Sequence, residues 1–168
     1  NAGINRAIVS QALEKLAIKE DDIVLDLFCG LGNFTLALAT RAGEVVGVEG
    51  SEEMVQRGYE NASANGISNV KFFAANLAES MANNPWSSIK CNKVLLDPPR
   101  SGAAEIIDEV AALKAEKIVY VSCNPSTLAR DTASLLSKGY RLISTGVMDM
   151  FPHTTHVESM AEFELIKK

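Results

Sequence analysis

Apolar residues along this chain follow two alternating periods. The first apolar positions have helical spacing, which predicts an amphipathic helix formed by Ile4, Ala7, Ile8, Ala12, Leu13 and Leu16. Short apolar runs rich in β-branched residues come next, and such runs are typical of strands that are buried on both faces. They predict strands at 22–28, 45–49, 70–75, 94–97 and 119–123, followed by two last strands at 141–148 and 161–166.

Helical patterns separate these strands and predict helices at 34–41, 52–64, 103–113 and 126–137. Alternating strands and helices predict an α/β fold, a doubly wound and mainly parallel seven-stranded sheet with its sites at the carboxyl ends of the strands. The 47% hydrophobic and 22% charged residues are ordinary for a globular protein, so we expect one domain over residues 1–168.

Composition limits the kinds of site, the compartment and the partners that we expect for this protein. The three cysteines are widely spaced and form no C-x-x-C pair, so we expect free thiols rather than disulfides or a zinc site. The chain contains neither a membrane-length apolar run nor a leader pattern, which favours a cytoplasmic protein. The net charge of -5 does not favour nucleic acid. The chain begins at Asn1 without methionine, however, so we expect a fragment whose basic RNA-binding surface lies upstream.

A glycine turn follows the first predicted strand, in Asp26-Leu27-Phe28-Cys29-Gly30-Leu31-Gly32, and Glu49 ends the second. A carboxylate at that strand end suits the paired hydroxyls of a ribose. Asp26 would repel a pyrophosphate but could hold a cationic cofactor that bears an amino acid, which favours S-adenosylmethionine. The alternative is that the glycines only form a tight turn.

The fourth predicted strand ends in Asp97-Pro98-Pro99-Arg100, where enzymes of this architecture keep groups that face the substrate. The prolines could equally be strand terminators. Methylation of an exocyclic amine would need an aromatic residue after the prolines, to stack on the base, and Arg100 occupies that position. The motif therefore does not favour chemistry at an exocyclic nitrogen.

Cys123 ends the fifth strand and suggests chemistry at a pyrimidine C5, which becomes nucleophilic once a thiolate adds to C6. That reaction also needs a base for the C5 proton, and Glu158 is the candidate, with a histidine as polar support. Glu158 could instead be a solvated residue at the start of a strand. His153 and His156 are three residues apart without a third ligand, which does not favour a metal site.

Arg130 and Asp131 lie on the helix that follows Cys123. Two interpretations stay open for them. Either they form a surface ion pair that contributes little to stability, or they orient the catalytic loop and an RNA phosphate.

Together these motifs closely resemble those of the S-adenosylmethionine-dependent RNA uracil-C5 methyltransferases, most of all the branch that acts on 23S ribosomal RNA. The motifs are Asp26-Leu27-Phe28-Cys29-Gly30, Asp97-Pro98-Pro99-Arg100, Ser122-Cys123-Asn124-Pro125-Ser126-Thr127-Leu128-Ala129-Arg130-Asp131 and Asp149-Met150-Phe151-Pro152-His153-Thr154-Thr155-His156-Val157-Glu158. The resemblance implies a Rossmann-like class I methyltransferase domain. It implies Cys123 as the nucleophile on uracil C6 and Glu158 as the base at C5. It also implies an S-adenosylmethionine site lined by Phe28, Asn33, Glu49, Asn76 and Asp97.

The same resemblance implies a ribosomal RNA substrate that is bound mainly through an upstream domain, a flipped target base and a monomeric enzyme without a metal. Three alternatives are open. A cytosine-C5 RNA methyltransferase uses the same thiol addition but generally places a second cysteine after the proline of the fourth-strand motif. A module that binds cofactor or RNA without catalysis, and a small-molecule methyltransferase, are the others.

Overall fold

The computed structural model describes the backbone of residues 2–149 and 157–167. Within these residues the helices are α1 (Ala2–Leu16), α2 (Asn33–Ala39), α3 (Glu52–Ala64), α4 (Ile107–Ala112) and α5 (Pro125–Ser137). The strands are β1 (Ile23–Leu27), β2 (Glu44–Glu49), β3 (Val70–Ala74), β4 (Lys93–Leu96), β5 (Lys117–Ser122), β6 (Tyr140–Asp149) and β7 (Val157–Leu165). Two short 3₁₀ turns, Met81–Asn83 and Pro85–Ser88, connect β3 to β4.

The strands form a single seven-stranded sheet in the order β3-β2-β1-β4-β5-β7-β6. The first five strands in this order are parallel, and β7 lies antiparallel between β5 and β6. The α/β, doubly wound and mainly parallel sheet predicted from the sequence is therefore confirmed. In this topology the carboxyl ends of the parallel strands meet at one edge, where such folds place their sites.

Alternate residues of the central strands face two separate apolar layers. In β4, Leu95 packs with Ile8 and Leu38 on the face that is covered by α1 and α2. Its neighbour Leu96 packs with Ile107 and Leu135 on the face that is covered by α4 and α5. Helices therefore cover both faces, which explains why the central strands show continuous apolar runs rather than alternation.

Two predicted boundaries are wrong. The helix expected from residue 103 begins at Ile107, and Ala103 instead donates a backbone hydrogen bond to Asp131. The last strand begins at Val157 rather than at residue 161, because Glu158 and Ser159 pair with β6 although they are polar. Polar residues at the end of a strand hide it from a hydrophobic pattern.

The three cysteines are free, as predicted. None of the helices formed by the described residues is long and apolar enough to cross a membrane.

Candidate active site

Six neighbouring strands each bring one of the predicted site residues to the same edge of the sheet. In spatial order these residues are Asn76 after β3, Glu49 at the end of β2, Phe28 after β1, Asp97 after β4, Cys123 after β5 and Glu158 near the start of β7. Glu158 lies at this edge because β7 runs antiparallel to β5. Residues that are up to 130 positions apart in a 168-residue chain thus form one row.

The turn after β1 has backbone dihedral angles that residues other than glycine rarely adopt. Phe28, Gly30 and Gly32 all have positive φ, of 63°, 55° and 87°. For phenylalanine this conformation costs on the order of 1 kcal/mol or more, and such strain is concentrated at functional sites. Gly32 caps α2, and a Cβ there would lie 3.1 Å from the Phe72 ring. The glycine is required for this close approach.

The Glu49 carboxylate is fixed by three backbone N–H groups. Gly30 donates to Oε2 at 3.0 Å, and Gly50 and Ser51 donate to Oε1 at 2.8 and 3.3 Å. A carboxylate has about four acceptor positions, so this one can still accept hydrogen bonds from a ligand. The glycine turn and the acidic strand end therefore form one hydrogen-bonded unit.

A cavity of about 240 Å³ lies beside this unit. One wall is formed by Phe28, Glu49 and Asn76 with their neighbours. Asn76 is held in an Asx turn, in which its Oδ1 accepts from Ala78 N at 3.0 Å. The opposite wall comes from the segment after β4 and comprises Pro99, Ser101, Gly102 and Glu105. Of these four residues the sequence motif at the end of β4 included only Pro99, and the glycine at 102 is the one further local signal for this wall.

Asn33 does not line this cavity. It is the first residue of α2, and its exposed side-chain amide exchanges two hydrogen bonds with Asn5 of α1, at 3.0 and 3.1 Å. Its assignment to the cofactor site stays a prediction.

Asp26 is buried and Asp97 is half-buried near the cavity, and no cation among the described residues is paired with either carboxyl group. Burial raises the pKa of Asp26 to about 7, and the nearby charges of Asp97 and Glu49 raise it further, while the hydrogen bond from Thr35 Oγ1 at 2.6 Å opposes the rise. None of the described residues donates a hydrogen bond to the second oxygen of Asp26, Oδ1. Burial and the charge of Glu158 raise the pKa of Asp97 to about 7 as well. A cationic ligand is the natural complement of such a site.

Cys123 lies between a strand and a capped helix. The Ser122 hydroxyl accepts from Asn124 N at 3.0 Å and donates to Asn124 O at 2.9 Å. The Asn124 side chain then caps α5 by accepting from Ser126 N at 3.1 Å, and Pro125 fills the first helical position. The half-buried thiol is thereby placed at the edge of the sheet rather than in the core.

Cys123 and Glu158 come directly after the last residue pair in register between β5 and β7. The antiparallel register of β5 and β7 ends at Ser122 opposite Ser159, and Cys123 and Glu158 are the next residue on each strand. Glu158 is half-buried, and its effect on the pKa of Asp97 places the two carboxyl groups close together. The structure therefore brings Cys123, Glu158 and Asp97 to one place.

The other two cysteines are in different environments. Burial raises the pKa of Cys91 to about 11, and burial with the charges of Asp26 and Glu49 raises that of Cys29 still further. Both are thus held as thiols at neutral pH, and the thiolate is the nucleophilic form.

The surface-pair interpretation of Arg130 and Asp131 is wrong. Arg130 is half-exposed and donates from Nε to Asp131 Oδ1 at 2.9 Å, but the Asp131 side chain is only 1% exposed. Its other partners are Tyr120 Oη and Ala103 N. The sequence showed the ion pair but not the burial of one member.

His153, His156 and the rest of 150–156 lie outside the described residues. The predicted polar support of Glu158 by a histidine, and the argument about a metal pair, therefore stay predictions.

Comparison with known proteins shows to which family the chain belongs. A family model described as tRNA (Uracil-5-)-methyltransferase matches residues 1–165. The chain belongs to this family. The resemblance inferred from its motifs is thereby confirmed.

Members of the uracil-5-methyltransferase family are similar to the chain over nearly its full length. A 23S rRNA (uracil(1939)-C(5))-methyltransferase of Alkalilimnicola ehrlichii is 61% identical over 165 residues, which is 98% of this chain and 37% of that protein. The enzyme of the same name from Vibrio vulnificus strain CMCP6 is 57% identical over 164 residues. The chain thus spans little more than a third of the length of these relatives.

Solved structures agree on the fold. The tRNA (uracil-54, C5)-methyltransferase of Pyrococcus abyssi, in complex with S-adenosyl-L-homocysteine, superimposes with a TM-score of 0.81 at 32% identity. The match covers 97% of this chain and 38% of that one. An rRNA methylase from Streptococcus thermophilus superimposes with a TM-score of 0.73 at 13% identity, over 94% of this chain and 95% of that one. That second likeness shows the fold alone.

Proposed function

We propose that this domain transfers a methyl group from S-adenosylmethionine to C5 of a uridine in 23S ribosomal RNA. The observation that carries the proposal is the row of residues along one sheet edge. A cavity between Glu49, Asn76 and Phe28 lies on one side of Asp97, and Cys123 with Glu158 lies on the other. A methyl donor and a base bound on the two sides would meet beside Asp97.

The residues present fit this cofactor. Glu49 would accept hydrogen bonds from the ribose hydroxyls, and Phe28 and Asn76 would contact the nucleoside. Asn33 lies outside this cavity and would have to release Asn5 to contact the cofactor. Asp97 and the unsatisfied oxygen of Asp26 offer negative charge to a ligand that carries two positive centres. When bound, S-adenosylmethionine supplies an electrophilic methyl group and a neutral thioether leaving group.

Cys123 would act as the nucleophile. Having lost its proton to solvent, the thiolate adds to uracil C6, so that an S–C6 bond forms and the electrons of the C5–C6 double bond move toward C5 and the O4 carbonyl. The resulting enolate attacks the methyl carbon through C5. Uracil C5 is too weakly nucleophilic without this addition, which gives the thiol a reason to lie at the sheet edge.

Glu158 would complete the reaction as the base. After methyl transfer, C5 carries both the new methyl group and its original proton. The carboxylate removes this proton, the electrons re-form the C5–C6 double bond, and the S–C6 bond breaks to release the Cys123 thiolate. The last antiparallel pair, Ser122 and Ser159, is of a kind whose Cβ atoms lie about 5 Å apart, and Cys123 and Glu158 are adjacent to it, which supports the thiol and the carboxylate acting on the ring of one base.

The relatives favour 23S ribosomal RNA as the substrate. Those that are named for uracil 1939 of 23S rRNA are 56–61% identical to the chain, whereas the tRNA-modifying Pyrococcus enzyme is 32% identical. The net charge of -5 indicates that much of the RNA affinity comes from the part of such proteins that this chain does not span. The domain would act as a cytoplasmic monomer.

The test uses RNA that carries 5-fluorouridine at the target position, because fluorine at C5 cannot be removed by a base and the covalent adduct persists. The full-length protein should form this adduct in the presence of S-adenosylmethionine, and Cys123→Ala should abolish it. Cys91→Ala is the matched control and should form the adduct normally, because Cys91 packs against the core away from the site. An adduct that survives Cys123→Ala would overturn the mechanism.

Two further measurements separate the alternatives. Release of tritium from C5-labelled uridine, and not from C5-labelled cytidine, is expected, because Arg100 occupies the place where cytosine-C5 enzymes carry a cysteine. Mass spectrometry of 23S ribosomal RNA from cells that lack the full-length gene should show one missing 5-methyluridine. Cofactor binding without turnover on any RNA would instead favour the non-catalytic module.

A further inference from the structure

Asp131 is a buried carboxylate at the junction of three parts of the chain. It accepts hydrogen bonds from Tyr120 Oη on β5 at 2.6 Å, from Ala103 N after β4 at 2.8 Å and from Arg130 Nε on α5 at 2.9 Å. Charge-assisted hydrogen bonds of this kind are about twice as strong as neutral ones. Burying a carboxylate costs free energy unless hydrogen bonds satisfy all of it. The burial of Asp131 therefore calls for an explanation.

Further hydrogen bonds join the start of α5 to the segment that follows β4. Arg130 Nη2 donates to Ser101 O at 2.9 Å. Asn124 Nδ2 and Thr127 Oγ1 donate to Arg100 O at 3.0 and 3.3 Å. With Asp131 accepting from Ala103, residues 100–103 are held to α5 at three positions.

Gly102 shows how closely this segment approaches the helix. A Cβ at this position would lie 2.5 Å from Arg130 Nη2, 2.7 Å from Asp131 Oδ2 and 2.9 Å from Thr127 Cβ. The φ of 81° also lies in the left-handed region. Only glycine fits both the conformation and the space.

The two elements that are joined in this way serve different halves of the site. The segment after β4 supplies one wall of the cofactor cavity, through Pro99, Ser101 and Gly102. Helix α5 begins two residues after Cys123. The contacts of Asp131 therefore join the segment that lines the cofactor cavity to the helix that follows the proposed nucleophile.

Tyr120 is held as a donor in this network. Burial, the hydrogen bond to Asp131 and the charge of that carboxylate all raise the pKa of its hydroxyl above the usual range. The phenol therefore keeps its proton at any pH at which the enzyme works.

We propose that Asp131 is a positioning residue for methyl transfer, which sets the distance between the cofactor wall at 99–102 and the Cys123 thiol. The inference rests on the proposed function. It differs from a role in stability alone, because it predicts a change in the rate of the chemical step in molecules that are folded and have bound their cofactor. The three backbone N–H groups that hold the Glu49 carboxylate belong to Gly30, Gly50 and Ser51 and do not contact Asp131, so cofactor affinity should change little.

The experiment measures single-turnover methyl transfer to RNA by the full-length protein at saturating S-adenosylmethionine. Rates are normalised to active sites, which are counted by the 5-fluorouridine adduct, and the cofactor Kd is measured by calorimetry. Asp131→Asn keeps the size of the side chain and removes its charge. We expect a rate about tenfold or more below wild type, with a Kd within about threefold.

Asp108→Asn is the matched control. It removes a carboxylate on α4 whose ion pair with Lys138, at 3.3 Å, is exposed, and it should leave both quantities unchanged. Arg130→Ala is the second variant, because Arg130 is half-exposed and its loss should not prevent folding. Without the bonds to Ser101 and Asp131, we expect a rate about three- to tenfold below wild type.

A wild-type rate per active site in Asp131→Asn would overturn the proposal, as would a raised Kd with an unchanged rate. If Asp131→Asn does not fold, a wild-type rate in Arg130→Ala overturns it instead. Loss of rate in these variants supports it. Failure of the proposed function gives a different result, because the wild-type protein would then transfer no methyl group to uridine, or transfer would persist in Cys123→Ala.

Discussion

Ser122 of β5 lies directly opposite Ser159 of β7 at the last pair of the antiparallel register. Cys123 is the first residue after β5 and Glu158 is the second residue of β7, so both lie at the carboxyl edge of the parallel strands. Opposed residues in such a pair are roughly 5 Å apart. A nucleophile and a base that act on adjacent carbons of one pyrimidine ring need a separation of this order.

Glu158→Gln should separate methyl transfer from product release. The amide cannot take the C5 proton, so we expect a covalent RNA adduct that carries the new methyl group to accumulate, with turnover reduced by about 10² or more. Denaturing gel shift with mass spectrometry of the adduct detects this. Glu164→Gln, on the same strand but in an ion pair with Arg141 at 2.8 Å, is the control. Normal turnover in Glu158→Gln would exclude it as the base.

Glu49→Gln should weaken cofactor binding. The amide cannot accept hydrogen bonds from Gly30, Gly50 and Ser51 and from a ribose at once, and each lost charged hydrogen bond costs roughly 1.5–3 kcal/mol. We therefore expect the Kd for S-adenosylmethionine to rise about 10- to 100-fold in calorimetry. Glu44→Gln, at the opposite end of β2, removes an exposed ion pair with Lys71 and should leave the Kd unchanged. An unaltered Kd in Glu49→Gln would remove Glu49 from the ribose site.

The raised pKa values of Asp26 and Asp97 predict how the stability of the protein changes with pH in the absence of cofactor. The pKa of Asp26 and of Asp97 is about 7 in the folded protein, against about 3.9 in an unfolded chain. Between these values the folded state holds more protons, so the contribution of both groups to the free energy of unfolding falls as pH rises from about 4 to about 7. Asp26→Asn should flatten this fall and raise stability at pH 8, measured by urea unfolding. An unchanged slope would show that Asp26 ionises normally, and exposed Asp21→Asn is the control.

Gly102→Ala should destabilise the domain more than a glycine replacement in open space. A methyl group at residue 102 would meet Arg130 and Asp131 within 2.7 Å, whereas at Gly66, with a φ of 66°, it would meet nothing within 4 Å. Left-handed strain alone costs about 1–2 kcal/mol, which is the expectation for Gly66→Ala. We expect Gly102→Ala to cost at least about 1 kcal/mol more in chemical denaturation, through lost packing and hydrogen bonds. Equal costs would mean that residues 100–103 can move away from α5 freely.

Local pattern was enough to predict most of the elements and the ends of the parallel strands. The glycine turn after β1, the acid that ends β2 and the cysteine after β5 follow from short apolar runs and the residues that interrupt them. Because parallel strands of a doubly wound sheet end at one edge, the sequence also predicted that these residues share it. The motifs were specific enough to indicate the family.

Only the tertiary structure decided which of those residues are brought together. The insertion of β7 antiparallel between β5 and β6 brings Glu158 beside Cys123, and no local period encodes which strands become neighbours. Burial of Asp131 likewise depends on Tyr120 and Ala103, residues from two other parts of the chain. The sequence by itself determined which groups reach the edge, because strand ends are set by local propensity. Strand order and burial decided which of them meet, because these arise from packing between distant segments.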